Sequence, residues 1–381
     1  MKKYVLSLAV LSVTLFSACN EDNEKQQYEI PVSKGAYVVG SGNTSSGIPG
    51  NLTYYDYTSR KATPDAFGAA NSGMKLGMTA NDAMCYGEKF YIVVDGENTV
   101  FVTNAKTLKV IRKIDMTASA MLGTDGAHPR RITAEGDKIY VSTYGGYVAA
   151  IDTLNFSLVD KYKTGPYPEG ICVVNGTLLV ANSDYGNGNA SISMIDTKTK
   201  TEKVLRHENI RNPQDIAIDG TGIYFLDYGQ YGDAPTYAQK NAGVYRISGT
   251  DTDNFSVTKV IADATGMACA GTKIYTYNAP YAYGVTNPVT YSVYDTKTGM
   301  TSSVSPADIE SPAAIGVDPL TGDLFIASYH MVTSEYGTYA DYSSNGYVNV
   351  YDSSFNKKGT FDCGVGPQRI AFNFTTEMVE Y

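Results

Sequence analysis

Pro129-Arg130-Arg131-Ile132-Thr133-Ala134-Glu135-Gly136-Asp137-Lys138-Ile139-Tyr140 opens with a proline, two variable residues and an aliphatic residue, and six residues later reaches an aliphatic-aromatic pair. The same spacing returns in Pro168-Glu169-Gly170-Ile171 before Leu178-Leu179, and in Pro213-Gln214-Asp215-Ile216 before Ile223-Tyr224. Alanine replaces the proline where Ala80 to Ala83 lead to Phe90-Tyr91 and where Ala264 to Met267 lead to Ile274-Tyr275. A sixth copy, Pro312 to Ile315, reaches Leu324-Phe325 after an insertion that includes Pro319, and a seventh, Pro367-Gln368-Arg369-Ile370, lies near the end of the sequence. The intervals from Ala80 to Pro367 average about 48 residues, close to the roughly 40 to 50 of a propeller blade.

Each unit reads as four short strands. In the copy quoted first these are 132–134, 138–142, 147–151 and 157–162, separated by Gly, Asp and Thr turn residues. Helical periodicity is absent, so the fold class is all-β. The first unit begins at Gly35 with what reads as a second strand, Ala36 to Val39, and lacks a Pro-x-x-Ile strand of its own. Pro367 to Phe372 supplies it. The expected architecture is therefore a seven-bladed β-propeller over residues 35–381, closed by pairing N- and C-terminal segments in one blade, which removes the exposed edges that an open array of strands would leave.

Ahead of the repeats, Lys2 and Lys3 precede an apolar run from Tyr4 to Leu15 that ends in Leu15-Phe16-Ser17-Ala18-Cys19. This reads as an export signal over residues 1–18, too short to span a membrane as a helix. Its end resembles the lipobox of bacterial lipoproteins, which implies acylation of Cys19, although Phe16 stands where an aliphatic residue is usual. The following Asn20-Glu21-Asp22-Asn23-Glu24 resembles the surface-export signal of Bacteroidetes lipoproteins, and residues 19–34 are expected to form an acidic flexible tether. An ordinary solvated linker is the alternative. The net charge of -9 argues against nucleic acid as a partner, because neutralising phosphates needs clustered Lys and Arg. Cys85, Cys172, Cys269 and Cys363 are far apart and form no CxxC pattern, so neither a zinc site nor a disulfide framework is indicated. Cys85 and Cys269 fall at equivalent repeat positions and read as packing residues.

Antiparallel connectivity puts the loops before each Pro and the loops between second and third strands on one face. These loops are short around Gly96 and Gly145-Gly146. They are long from Asp227 to Tyr237, from Tyr277 to Tyr283 and from Tyr329 to Tyr342. Ten tyrosines fall in the three long loops, in a chain with 32 Tyr and no Trp. Tyrosine offers flat apolar area with a polar tip at low entropic cost, which suits a loop-built binding surface; packing of the loops on one another is the alternative. Tyr144, Tyr185, Tyr228, Tyr231, Tyr277, Tyr281, Tyr283, Tyr329 and His330 are the candidate ligand contacts from the loops.

The second variable residue after each Pro position should ring the mouth of the central channel: Arg369, Asp82, Arg131, Gly170, Asp215, Gly266 and Ala314 in turn. An aromatic wall on one side would then face a charged floor on the other. His128, Arg130, Arg131 and Arg369 could hold an anionic group such as a phosphate, or pair instead with Asp82, Glu169 and Asp215. The recurring Asp152-Thr153, Asp196-Thr197, Asp295-Thr296 and Asp352-Ser353 read as turn aspartates rather than catalytic ones. No HExxH, GxSxG, GxxxxGK[ST] or CxxCH occurs, so signatures of metalloprotease, hydrolase, nucleotide and covalent haem sites are missing. A non-enzymatic binder without an intrinsic cofactor or metal is expected; a metal-dependent propeller lyase or lactonase using Asp82, Asp215 and His128 is the enzymatic alternative.

The Pro-x-x-Ile start, the Ile-Tyr-Val second strand and the Ile-Asp-Thr turn resemble the YncE or YVTN family of seven-bladed propellers over about Gly35 to Asn373. With Cys19 and the acidic tract, the chain is similar to the BtuG-type surface lipoproteins of Bacteroides. That resemblance implies an outer-membrane, cell-surface protein that captures cobalamin (vitamin B12) and passes it to a TonB-dependent outer-membrane transporter. No short motif allows family binding residues to be carried over. A broad ligand fringed with amides and carrying one phosphate suits a Tyr-lined bowl with basic groups. A surface glycan or a peptide, bound for adhesion, suits it as well.

Overall fold

In the computed structural model, residues 27–281, 287–335 and 337–380 are described; Cys19 with the expected signal, Tyr283 and Tyr336 lie outside them. Among the described residues the chain forms seven four-stranded antiparallel sheets in sequence, joined by two further two-stranded ribbons. In the blade that begins at the quoted repeat, the strands are Pro129–Glu135, Lys138–Thr143, Tyr147–Asp152 and Leu158–Lys163. The protein is a seven-bladed β-propeller.

Alternation along the strands explains why blades close on one another. In the second blade Phe90, Ile92 and Val94 face the first blade, packing with Tyr37, Val39 and Leu52. Their neighbours Tyr91 and Val93 point the other way, to Ile139, Val141, Ala149 and Ile151 of the third. A side-chain period of two thus gives both faces of one strand to two different cores. Similar clusters lie at every junction round the ring, ending with Ala36, Val38 and Ile370 of the first blade against Phe325, Ala327 and Val348 of the seventh.

Closure is by the expected segment, Pro367 to Phe372. Ala36 pairs with Phe372, Tyr37 with Ala371, Val38 with Ile370 and Val39 with Arg369. The pairing also runs further than expected, from Ser33↔Phe374 back to Gln27↔Glu380, past a bulge at Ser33/Gly35. The tether expected over 19–34 is therefore shortened: from Gln27 onward the chain is already a strand, because Pro367–Glu380 offers it a ladder to join.

The Pro-x-x-aliphatic motif has a local structural cause. Where the first strand meets the second, the register shifts between Ala80 and Asp82, Pro129 and Ile132, Pro168 and Ile171, Pro213 and Asp215, and Pro312 and Ala314. Proline has no N–H to give a ladder, so it fits the first residue of a strand next to a bulge. A bulge turns the residues beside it out of the pleat, and here those are the two variable positions at the channel mouth. The sixth blade, which has Ala264 in place of Pro, pairs Gly266 with Tyr277 and Met267 with Thr276 without a shift.

The recurring aspartates serve turns. Asp152 accepts the amides of Leu154 and Asn155, Asp196 those of Lys198 and Thr199, and Asp295 those of Lys297 and Thr298. Cys85, Cys172, Cys269 and Cys363 are free thiols. Cys269 departs from its expected packing role: it is exposed, on an inner strand, within electrostatic reach of Asp215, Asp219, Cys172 and Arg369 from three other blades. Only the axial channel brings those blades together, so this side chain lines the channel wall.

Candidate functional site

The floor of the site is built from the bulged positions. Arg369, on the first blade, places Nε 3.2 Å from Asp82 Oδ1 of the second blade and Nη1 2.8 Å from Asp215 Oδ2 of the fifth. One guanidinium therefore crosses the channel mouth and ties together three blades. Asp82 also accepts the amides of Ala83 and Ile132, and Asp215 that of Ile216. Burial pushes the Asp215 carboxyl up, but Arg369 and Arg131 outweigh it and hold it below its ordinary value. Gly170, in the same ring, is required by crowding: a Cβ there would lie 2.6 Å from the Asp215 Cα.

A second charged group sits at the third blade's edge of the mouth. Arg130 donates through Nη1 to Asp95 at 2.8 Å and through Nε and Nη2 to the two Glu169 oxygens at 3.0 and 3.2 Å. Its guanidinium also stacks 4.5 Å over the Tyr144 ring, and the Tyr144 hydroxyl donates to Glu169. His128 places Nδ1 3.0 Å from the other Asp95 oxygen. The basic patch expected from His128, Arg130, Arg131 and Arg369 is thus mostly neutralised. Acids from neighbouring blades fill the same crowded mouth, and a guanidinium there is stabilised by a bidentate carboxylate.

Asp95 went unmarked in the sequence reading. It stands directly after the second strand, where its amide donates to the Thr79 carbonyl, as that of Tyr144 does to His128 and that of Tyr228 to Asn212. This repeat position was a usable signal. Thr79, His128 and Tyr167 all precede an inner strand with positive φ, of 57°, 57° and 49°. A left-handed conformation is unfavourable for side chains of this size, yet two of the three positions present an aromatic ring or an imidazole to this face.

The aromatic rim runs over the third to seventh blades, wider than the wall expected over the fifth to seventh. Tyr144, Tyr167 and Tyr185 form a cluster on the third and fourth blades, with ring centroids 4.2 to 5.3 Å apart. Tyr231 and Tyr281 meet edge to face at 6.1 Å, joining the loops of the fifth and sixth blades, and the Gln239 amide donates to the Tyr281 carbonyl. On the seventh blade Tyr329 and Tyr342 meet edge to face at 4.9 Å. His330 packs 4.7 Å from Tyr347, with Nδ1 3.0 Å from Glu310. The loops of the fifth and seventh blades carry ribbons of their own, Gln230–Tyr231 with Gln239–Lys240 and Met331–Ser334 with Gly337–Ala340.

The packing of loop tyrosines on one another, expected as the alternative, is present, yet Tyr185, Tyr231, Tyr281 and Tyr342 stay 54%, 53%, 52% and 56% exposed. Tyr277 is the exception: only 6% exposed, it belongs to the core between the sixth and seventh blades and donates its hydroxyl to the Ala313 carbonyl at 2.8 Å. It is a wall residue beneath the bowl rather than a ligand contact.

The fifth-blade loop is anchored by Asp227, fully buried, which accepts the amides of Arg211, Asn212 and Gly229. Burial pushes its carboxyl up to about 6 against the pull of those amides. Tyr228 follows directly, and burial pushes its phenol up to about 12 while Arg131 pulls it down. Burial raises the Tyr277 phenol well above its ordinary value, with Tyr228 and Tyr329 adding to the rise and Arg131 opposing it. Among the described residues no group of three or more His, Cys, Asp and Glu is arranged to hold a metal ion.

Replacing Arg369 with Met should cost about 2 to 3 kcal/mol, somewhat under the cost of breaking a deeply buried pair, because the side chain keeps 31% exposure. The loss arises from leaving Asp82 and Asp215 unpaired, so adding Asp82→Asn and Asp215→Asn should restore part of it. Denaturant unfolding would measure both. Asp215's depressed carboxyl contributes stability above the ordinary carboxylate range, and that contribution fades as pH falls through the depressed value. The Arg369→Met protein should lack this acid-sensitive part.

Residues 34–361 match the model of a family described as a domain of unknown function, DUF5074. The fold is similar to that of hydrazine synthase from Kuenenia stuttgartiensis, with a TM-score of 0.56 at 14% identity over 79% of this chain and 95% of that one. It is similar also to a putative 6-phosphogluconolactonase from Bacteroides fragilis, with a TM-score of 0.55 at 14% identity over 89% of this chain and 98% of that one. No curated protein matches. At such identity the likeness is one of fold alone.

Proposed function

This chain belongs to the DUF5074 family, and from that premise and the geometry of its bowl we propose that it is a ligand-capture propeller of the cell envelope, not an enzyme. The observation that carries this reading is the set of half-exposed tyrosines round one face, above a floor whose carboxylates are already bonded. Large aromatic area left open to water at a concave mouth favours binding of a broad, partly apolar ligand. The floor offers little for catalysis, since Asp82, Asp215 and Glu169 each hold an arginine and an amide or a phenol.

The ligand proposed is cobalamin, held at the surface of the outer membrane by a protein anchored through Cys19 and passed to a TonB-dependent transporter. The resemblance of the sequence to BtuG-type lipoproteins supports this reading, and so does the match between a wide amide-fringed ligand and a rim of phenols. Titration of the protein with cyanocobalamin, followed by absorbance and calorimetry, is expected to saturate at micromolar ligand or below. Absence of binding there overturns the cobalamin reading. The second reading, capture of a surface glycan, is favoured by the same exposed rings, on which sugar faces stack; binding of oligosaccharides with no response to cyanocobalamin would select it.

A further inference from the structure

We propose that the channel mouth receives a single anionic oxyacid group of the ligand, a carboxylate or a phosphate, on the Arg131 guanidinium and the Tyr228 hydroxyl. The proposal rests on the capture reading of the bowl but not on the identity of the ligand. It starts from what the protein leaves unbonded. Arg130 is held by Asp95, Glu169 and the Tyr144 ring, Arg369 by Asp82 and Asp215, and His128 by Asp95. Arg131 differs from all three. Among the described residues its side chain makes one hydrogen bond, from Nη1 to the Asn81 carbonyl at 3.0 Å, and no ion pair. A guanidinium carries five N–H donors in a planar fork, so most of this one is free.

Arg131 leaves the third blade, yet its charge acts on Asp215 and Tyr228 of the fifth and Tyr277 of the sixth. Arg131 stands at the bulged second position of the third blade's inner strand, and its Nη1 bonds the Asn81 carbonyl of the second blade, which sets the guanidinium at the channel mouth between those two blades. Tyr228 is held in place from both ends of its peptide, its amide donating to the Asn212 carbonyl at 2.9 Å and its carbonyl accepting from Gln239 Nε2 at 2.8 Å. Its hydroxyl has no hydrogen-bond partner among the described residues. The acceptors in this place are already bonded, with Asp82 and Asp215 using both oxygens on amides and on Arg369. What remains are donors in a half-buried recess, and donors call for an acceptor. A carboxylate or phosphate edge matches the guanidinium fork through two parallel hydrogen bonds.

Charge limits how many such groups fit. Arg130, Arg131 and Arg369 face Asp82, Asp95, Glu169 and Asp215, three guanidiniums against four carboxylates, so the mouth has no positive excess. An anion is held there by directed hydrogen bonds rather than by a strong positive field, and a second negative charge would meet the two aspartates. A ligand with one oxyacid group is favoured over a polyphosphate or a polyacid.

Two probes with the same ring, methyl 4-nitrophenyl phosphate, a monoanion, and 4-nitrophenyl glucoside, separate this claim from the bowl itself. Calorimetric titration of the wild-type protein should give an affinity roughly tenfold higher for the phosphate, the effect of one charge-assisted interaction. Arg131→Met should erase that preference, and Tyr228→Phe should reduce it in part, each variant's phosphate affinity being read against its own glucoside affinity. Equal binding of both probes by the wild type, or a preference that survives Arg131→Met, overturns the proposal and leaves the capture reading standing. Binding of neither probe at millimolar concentration overturns the proposal, while the capture reading stands or falls with the cyanocobalamin titration.

Discussion

Removal of residues 367–381 is expected to abolish cooperative folding, whereas removal of residues 375–381 alone should leave the melting transition nearly in place. The first deletion takes away the innermost strand of the first blade, and with it Ile370 and Ala371 from the two cores that flank that blade. It also removes Arg369, leaving Asp82 and Asp215 without their shared partner. The strand Gln27–Gly40 would then show an unpaired edge to the channel, and an open ring of sheets exposes the cores at both its ends. The second deletion removes ladder that extends beyond the blade, paired with Gln27–Val32 and bearing exposed Met378, together with the exposed Lys34–Glu377 ion pair, which contributes little. Thermal unfolding followed by circular dichroism distinguishes the two cases. A sharp transition in the longer deletion would mean that the blades stand without closure.

The contrast between those deletions reflects what was legible beforehand. Periodicity alone fixed the number of blades, the shared strand and the face on which the loops gather, because hydrophobic alternation and turn residues recur wherever the same supersecondary unit is used. The bulge at Pro-x-x-aliphatic was implicit in the same repeat, and it delivered Arg369, Asp82, Arg131 and Asp215 to one mouth. Pairing was not legible. Whether Arg130 meets a ligand or Glu169 depends on side-chain reach between blades, which no spacing within a blade encodes. Asp95 was passed over because it stands alone at its repeat position, where other blades carry Tyr144 or Tyr228. The strand from Gln27 to Ser33 shows no sign of its pairing in the sequence, because its partner, Phe374–Glu380, lies at the other end and no turn signal links the two.

Tyr277 shows the same limit at a single residue, and its replacement by Ala is expected to lower stability by about 4 kcal/mol, as for other large aromatic side chains cut back in a core. Its ring packs with Tyr275, Tyr291, Val293 and Ile315, and its hydroxyl bonds the Ala313 carbonyl of the next blade. Loss of that hydrogen bond alone, in Tyr277→Phe, should cost about 1 kcal/mol. The ring also explains why the second variable position of the sixth blade is glycine: a Cβ on Gly266 would lie 2.1 Å from Tyr277 Cε1. Gly266→Ala should therefore be destabilising in the wild type and nearly neutral, or favourable, where Tyr277 is already Ala, a coupling that a double-mutant cycle measures directly. Tyr231→Ala and Tyr281→Ala, on rings half open to water, should leave the melting temperature nearly unchanged and weaken ligand binding instead. If Tyr277→Ala proved as stable as those two while losing the ligand, the ring would belong to the bowl and not to the seam between the blades.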